Sequence, residues 1–491
     1  MLPKLGLNKK IQNNYKHYDN LVTRALLSDT EDRQIYFARK AAEFAATNPC
    51  GVFSSPELEG LLCQIAQNHP CLLTSDPKKN SVLHVMTTGY KTGGHTRVVE
   101  KWAKHRPEKT HHDVLFIDQH ADDTPDFLYD SLESEGLKCL HLKGLTPLEK
   151  GLELRKLAMN YEQVVLHTHM HDPVPLLAFG TEDFLRPVIY YNHADHIFWL
   201  GVSIADIVVD LTPEGERFSQ TRRGVQESTV LPVPITTEGA DTPCDKTAAR
   251  KTLHLPQSKR IMLSIGGSWR YAPVGELNFP EYCTELLKKY DDLVIVIVGV
   301  EPNDRHWARA VKAYDASRLK LVGRVFDKAK YQKYIDAADF YVEALPAGAE
   351  ITSLEVGLQQ LPVFILKKLA IRSEVFESVY FPHYGELKDS IEIYLNEGIL
   401  LNSQKKFRKQ ILKVHSEEAF AAGLARIHKQ APKKHRVNTS FTSPYVVTSY
   451  DRYLYNALKG MHKARGLTRL LKKAYKLHIR LKDFTRVRDT N

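Results

Sequence analysis

Over the first 78 residues, apolar side chains recur at helical spacing. The segments LVTRALL, YFARKAAEFAA and LEGLLCQIAQ each place them three and four positions apart, with no β-branched run between. The spacing predicts an N-terminal helical extension over 1–78. From residue 81 the pattern changes. SVLHVMTT is a short apolar run, GYKTGGHT a glycine-bearing loop and RVVEKWAKH a helical stretch; DVLFID, LKCLHL, EQVVLHTH, PVIYYNH, ADIVVDL and STVLPVPI follow as further strand-like runs. Strands alternating with helical segments predict a parallel sheet covered on both faces.

A second such series opens near residue 259. KRIMLSIG is followed by helical EYCTELLKKY, then LVIVIVG, a nearly all-apolar strand of the kind buried on both faces. LKLVGR, DFYVEAL and PVFIL continue it. The polar, proline-bearing segment TTEGADTPCDKTAARKTLHLPQ between the two series reads as an interdomain linker running into a short helix. The predicted fold class is α/β with two Rossmann-like, doubly wound units: 1–78 a helical extension, 79–240 a first unit, 258–402 a second unit and 403–491 a basic helical tail. Each unit would carry its ligand loops at the carboxyl ends of its strands. Within the tail, residues 405–430 read as one helix, and the mixed Lys/Arg and Leu/Ile segment beyond residue 455 reads either as a membrane-surface helix or as a solvated helix docked by its apolar stripe.

Composition adds limits. The chain has 491 residues, 43% hydrophobic and 26% charged, so a large core is affordable. A net charge of +10 favours acidic partners, nucleotide phosphates or anionic lipid among them. Six scattered cysteines form no CxxC pair, which points away from zinc or thioredoxin chemistry and towards reduced thiols. No stretch reads as a signal peptide or a membrane span, so the expected location is cytoplasmic, with peripheral attachment through the tail as an open possibility.

The strongest chemical signal is PAGAEITSLEVGLQQLPVF, residues 346–364. Small residues after an apolar strand lead into a helix starting near Ile351, and a helix N-terminus there would offer N–H groups and partial positive charge to a diphosphate. Glu355, a turn inside, has the chemistry to accept from two ribose hydroxyls; a capped surface helix with an exposed Glu is the structural alternative. Ser353-Leu354-Glu355 and Leu361-Pro362-Val363 resemble the donor-binding segment of GT-B glycosyltransferases. By that resemblance Glu355 would bind the ribose, with Thr352 and Ser353 near the diphosphate. Retaining members carry a second Glu where this chain has Ala347, so the retaining mechanism does not carry over. Some inverting members, including those similar to O-linked N-acetylglucosamine transferase, also use a single acidic residue here. In SIGGSWRYAP, Arg270 follows the first strand of the second unit, where the family places a basic residue against the diphosphate. Gly323-Arg324-Val325 resembles the base-receiving loop, with Val325 on the donor.

The first unit contributes TTGYKTGGHTRVVEKWA. Gly93 and Gly94, with Arg97, Val98 and Val99, resemble the first loop of GT-B first lobes, facing donor phosphates or acceptor. The loop lacks the Gly-Lys-Ser/Thr of a phosphate-binding Walker loop. Two histidine-rich loops, HTHMHD and YNHADHIFWLG, each follow an apolar strand. An inverting transfer needs a base to take the acceptor proton, and imidazole titrates near neutrality. His193, Asp195 and His196 are the candidates for it; His95, His169 and His171 are placed on the acceptor or in a supporting role. Metal binding by clustered histidines competes, as does simple satisfaction of buried polar groups, and no HExxH pattern occurs. No metal or cofactor is expected.

The resemblance thus implies a glycosyltransferase that moves a sugar from a nucleotide-sugar donor to a glycan, lipid or protein acceptor in polysaccharide or glycoconjugate synthesis. A nucleotide-sugar epimerase on the same fold and a non-catalytic binder remain alternatives. Nucleic acid is not an expected partner, because the basic residues come without a reader motif.

Overall fold

The computed structural model describes residues 2–70, 76–91, 94–144, 146–194, 196–236, 245–367, 374–398, 403–432, 434–452 and 454–455. Packing divides them into two compact units, one drawn from 1–240, 368–378 and 405–452, the other from 241–367, 379–404 and 453–491.

In the first unit, helices Leu2–Leu26, Glu31–Thr47 and Pro56–Asn68 precede any strand. Thr30 and Ser55 cap the second and third, each accepting from the N–H three residues on. Seven parallel strands follow: β1 (Lys78–Met86), β2 (His111–Phe116), β3 (Cys139–His141), β4 (Tyr161–His167), β5 (Val188–Tyr191), β6 (Ile207–Asp210) and β7 (Ser228–Val230). Their spatial order is β3-β2-β1-β4-β5-β6-β7. The reversal of strand order between β1 and β4 is the topological switch point, where open α/β sheets bind ligands at the strands' carboxyl ends.

Two buried side chains fasten the leading helices to this sheet. The carboxylate of Glu59 accepts from the N–H groups of Gly201, Val202 and Ser203 and from the Ser203 hydroxyl, at 2.7–3.2 Å. The guanidinium of Arg155 donates to the carbonyls of Ala66, His69, Leu177 and Ala178, at 2.5–3.1 Å. Those carbonyls lie at or near helix C-terminal ends, where backbone acceptors are left over.

The stretch over 405–430 forms two helices, Ser403–His415 and Glu417–Gln430, where the sequence pattern suggested one. The break is local chemistry: the Ser416 hydroxyl accepts from the Ala419 N–H and starts a new helix. Phe420, Leu424 and Ile427 then bury themselves with Trp102, Val165, Tyr191 and Leu231 of the first unit. The last basic segment, from residue 456 onward, lies outside the described residues.

The second unit has six parallel strands: β8 (Arg260–Ile265), β9 (Leu293–Val298), β10 (Leu319–Gly323), β11 (Phe340–Val342), β12 (Val363–Leu366) and β13 (Tyr380–Phe381). Their order is β10-β9-β8-β11-β12-β13, so the switch point falls between β8 and β11. Every residue of β9 is buried, as its LVIVIV sequence demands. Tyr271, Phe279, Trp307 and Phe340 anchor the core. No helix among the described residues is long and apolar enough to cross a membrane.

Candidate functional site

At the second unit's switch point, the loop after β8 meets the loop after β11. Arg270 sits in the first, inside a short 3-10 turn over Ser268–Tyr271. Its guanidinium stacks 4.4 Å from the Trp269 ring centroid and donates to the Gly348 carbonyl, with a longer bond of 3.4 Å to Ala347. The Ala347 N–H returns a bond to the Arg270 carbonyl at 3.2 Å. Arg270 therefore lies directly before the helix Glu350–Leu358, whose start agrees with the pattern in the sequence.

Beneath that helix start, the carboxylate of Glu343 is wholly buried. It accepts from the Ala349 N–H at 2.9 Å and from the Ser353 hydroxyl at 3.3 Å. An anion at the N-terminus is stabilised by the helix dipole. Ser353 is buried and serves this internal contact, also donating towards the Ala349 carbonyl. Thr352 and Glu355 are half-buried. The Tyr331 hydroxyl, from helix Lys328–Ala337, donates to Oε2 of Glu355 at 3.0 Å. Burial raises the Tyr331 pKa, the neighbouring Glu355 charge adds to it, and a hydrogen bond with Thr352 opposes it.

The adjoining strand ends bring backbone close to backbone. Gly299 has φ +99°, and a Cβ there would lie 2.6 Å from the Gly266 carbonyl oxygen. Gly323 has φ +75°, with Glu301 carboxylate oxygens about where its Cβ would go. Both positions require glycine on conformation and on space. Val325, just beyond, is half-buried, and Phe326 beside it is 74% exposed.

At the first unit's switch point the loops after β1 and β4 converge. Gly93 lies outside the described residues; Gly94 opens the helix Gly94–Lys104. His95, in its first turn, bonds through Nε2 to the carbonyl oxygen of His167 at 2.7 Å. The His193 ring lies 4.1 Å away, centroid to centroid. Burial lowers the pKa of both. Nδ1 of His193 is buried with no protein partner among the described residues. His196 is exposed, and Asp195 lies outside the described residues. His169 bonds through Nε2 to the hydroxyls of Thr88 and Tyr90, at 3.1 and 2.9 Å, and burial pushes its pKa down to about 4. Thr87 donates to the buried Asp172 at 2.5 Å, which fixes this turn. The half-buried His171 ring lies 5.8 Å from that of His169, centroid to centroid, and within electrostatic reach of Glu43, Arg39 and Lys40.

Three more imidazoles run under this site. His112, His84 and His167, on adjacent β2, β1 and β4, are fully buried and bonded ring to ring at 2.9 and 3.0 Å. Their nitrogens face one another, and among the described residues no three His, Cys, Asp or Glu groups gather as metal ligands would. His428 completes the layer, accepting from Trp102 Nε1 at 3.1 Å and bonded to Gln163 at 2.7 Å.

Tyr331 and the helix-start role of Glu343 escaped the sequence reading. Tyr331 lies in a polar helical stretch that signals nothing, whereas Glu343 stands at the end of an apolar strand, where a charge is out of place unless satisfied. His84 carried the same signal, interrupting the apolar run of β1, whereas His112 lies between His111 and Asp113 at the polar start of β2.

The sequence matches no protein-family model and no curated protein sequence. Solved structures do match in fold. HepE of Anabaena, determined in complex with UDP, aligns with a TM-score of 0.52 at 13% identity, over 71% of this chain and 99% of its own. A glycosyltransferase from Rickettsia africae gives 0.54 at 12%, over 72% and 99%. A mutant O-GlcNAc transferase from Thermobaculum terrenum gives 0.51 at 13%, over 92% and 85%. With its two doubly wound parallel sheets, the chain has the GT-B fold of these glycosyltransferases.

Proposed function

We propose that this protein is a glycosyltransferase: its second unit binds a nucleoside-diphosphate sugar and its first unit holds the acceptor. The observation that carries the reading is the convergence of Arg270, the N-terminus of helix Glu350–Leu358 and the Glu355–Tyr331 pair at one switch point. A cation and helix N–H groups suit the diphosphate, and a carboxylate one turn in suits a ribose diol. UDP, the ligand of HepE, is the first donor nucleotide to test.

In this reading His95 is the base that takes the acceptor proton. A carbonyl oxygen can only accept, so Nε2 of His95 carries the ring proton and Nδ1 keeps the lone pair. Its lowered pKa keeps it neutral at pH 7. His193 lies against its face. Thr352 and Arg270 stabilise the departing diphosphate, work that is electrostatic and positional. Acceptors in polysaccharide or glycoconjugate synthesis are the class of substrate proposed.

The test is a titration of the full chain with UDP-, GDP-, CDP- and ADP-sugars, followed by product analysis. One donor class should bind, and Glu355→Ala should weaken it about 10- to 100-fold, as expected for losing hydrogen bonds to a charged group. Unchanged donor affinity in Glu355→Ala would refute the assignment.

A further inference from the structure

Helices Leu2–Leu26 and Glu31–Thr47 flank an open groove of about 410 Å³ that the donor and base sites do not use. Its size lies within the range of small-ligand clefts. Aromatic rings line it: Tyr36, Phe37 and Phe44. Tyr36 is 55% exposed, a large ring surface left open to water. Arg24 stacks its guanidinium 4.4 Å from the Phe37 centroid. Among the described residues it has no carboxylate within ion-pair distance, unlike Lys40 and Arg39, which both pair with Glu43.

Beside the Lys40 ammonium, two lining side chains offer acceptor oxygens. Asn48 spends its amide protons on the Phe44 carbonyl and the Thr47 hydroxyl, at 3.1 and 3.0 Å, leaving its oxygen as an acceptor. Glu43 adds further acceptor oxygens. The groove thus combines the open Tyr36 ring for C–H surfaces, acceptors for hydroxyls and one unneutralised planar cation for a carboxylate. Glu43 also lies within electrostatic reach of His171, so the groove adjoins the histidine loop after β4.

We propose that this groove is a subsite for an acidic saccharide of the acceptor, with the sugar on the exposed Tyr36 ring and its carboxylate on Arg24. This rests on the glycosyltransferase reading, and it names the acceptor class that reading leaves open. A peptide or a second copy of the chain is the competing occupant; the isolated cation and the adjacency to the His169–His171 loop favour the saccharide.

The experiment is calorimetric titration of the full chain with tetrasaccharides: uronate-containing ones, including a hyaluronan tetrasaccharide, against neutral cellotetraose. Uronate-containing probes should bind at least tenfold tighter than cellotetraose. Arg24→Gln should erase that preference, and Tyr36→Ala should weaken both kinds of probe. Both residues are exposed, so both variants should fold and bind nucleotide-sugar as the parent does. Equal affinity for acidic and neutral probes, no saccharide binding, or a preference that survives Arg24→Gln would each overturn the proposal. So would a dimer in sedimentation that Tyr36→Ala dissolves. Loss of nucleotide-sugar binding by the parent chain would instead strike the glycosyltransferase reading, which this titration measures separately.

Discussion

Nε2 of His95 is bonded to the backbone carbonyl of His167 at 2.7 Å, and that single contact selects the imidazole tautomer. A tautomer fixed by main chain survives changes in neighbouring side chains. It also presents Nδ1 as a lone-pair atom without needing a carboxylate partner.

His95→Gln follows directly. A glutamine amide can still donate to the His167 carbonyl, but it cannot accept a proton as a base. Transfer should fall about 10²- to 10⁴-fold, the usual contribution of a positioned base, with donor affinity retained. In the parent protein, burial holds the His95 pKa below the usual 6.5, so the acidic limb of kcat/KM should lie below pH 6.5. Initial rates across pH 4.5–8 measure both effects.

Tyr331→Phe isolates the other pair. Removing the hydroxyl leaves Glu355 without its donor at 3.0 Å but keeps its charge. Donor affinity should drop severalfold, less than in Glu355→Ala, because the carboxylate that meets the ribose is kept and only its positioning partner is lost. Equilibrium titration of the two variants gives the ranking.

The imidazole layer makes stability fall in acid. Burial pushes the His428 pKa down to about 4; burial and neighbouring imidazoles of the layer lower those of His84 and His112, and burial with the nearby His95 and His193 lowers that of His167. Below pH 6.5 the unfolded chain takes up protons that the folded chain refuses. The native state therefore keeps its full stability above 6.5 and loses it progressively as pH falls, down to each folded pKa. For His428 alone the loss amounts to roughly 3 kcal/mol by pH 4. Buried Glu59 and Asp172, whose pKa values are raised by burial, act in the opposite sense. Urea unfolding at pH 7.5, 5.5 and 4.5 should show a shallower pH slope for His428→Gln than for the parent.

Arg155→Met should be among the most damaging structural changes. It removes donors from four carbonyls, two of them belonging to the helix Pro56–Asn68 region that precedes the sheet. A loss of about 3–5 kcal/mol is expected from buried acceptors left unmet. Denaturant midpoints measure the loss, and limited proteolysis should cut first within the leading helices.

The sequence alone determined the two α/β series, because apolar runs of strand length separated by helical spacing encode a parallel sheet locally. It located the start of the helix Glu350–Leu358 within a residue, since small residues between a buried strand and an apolar helical run leave little choice. It also singled out Glu355 and Arg270 for the donor and His193, Asp195 and His196 as candidate bases, with His95 only in an acceptor or supporting role. It did not show that Ser353 turns inward to Glu343, that Tyr331 reaches Glu355, or that Ser416 divides the helical stretch over 405–430. Nor did it reveal that histidines from positions 84, 112, 167 and 428 form one buried layer. Those are contacts between residues distant in the chain or on separate elements. Only the strand order, with its reversals beside β1 and β8, brings such groups together, and strand order is set by packing of whole faces rather than by any local pattern.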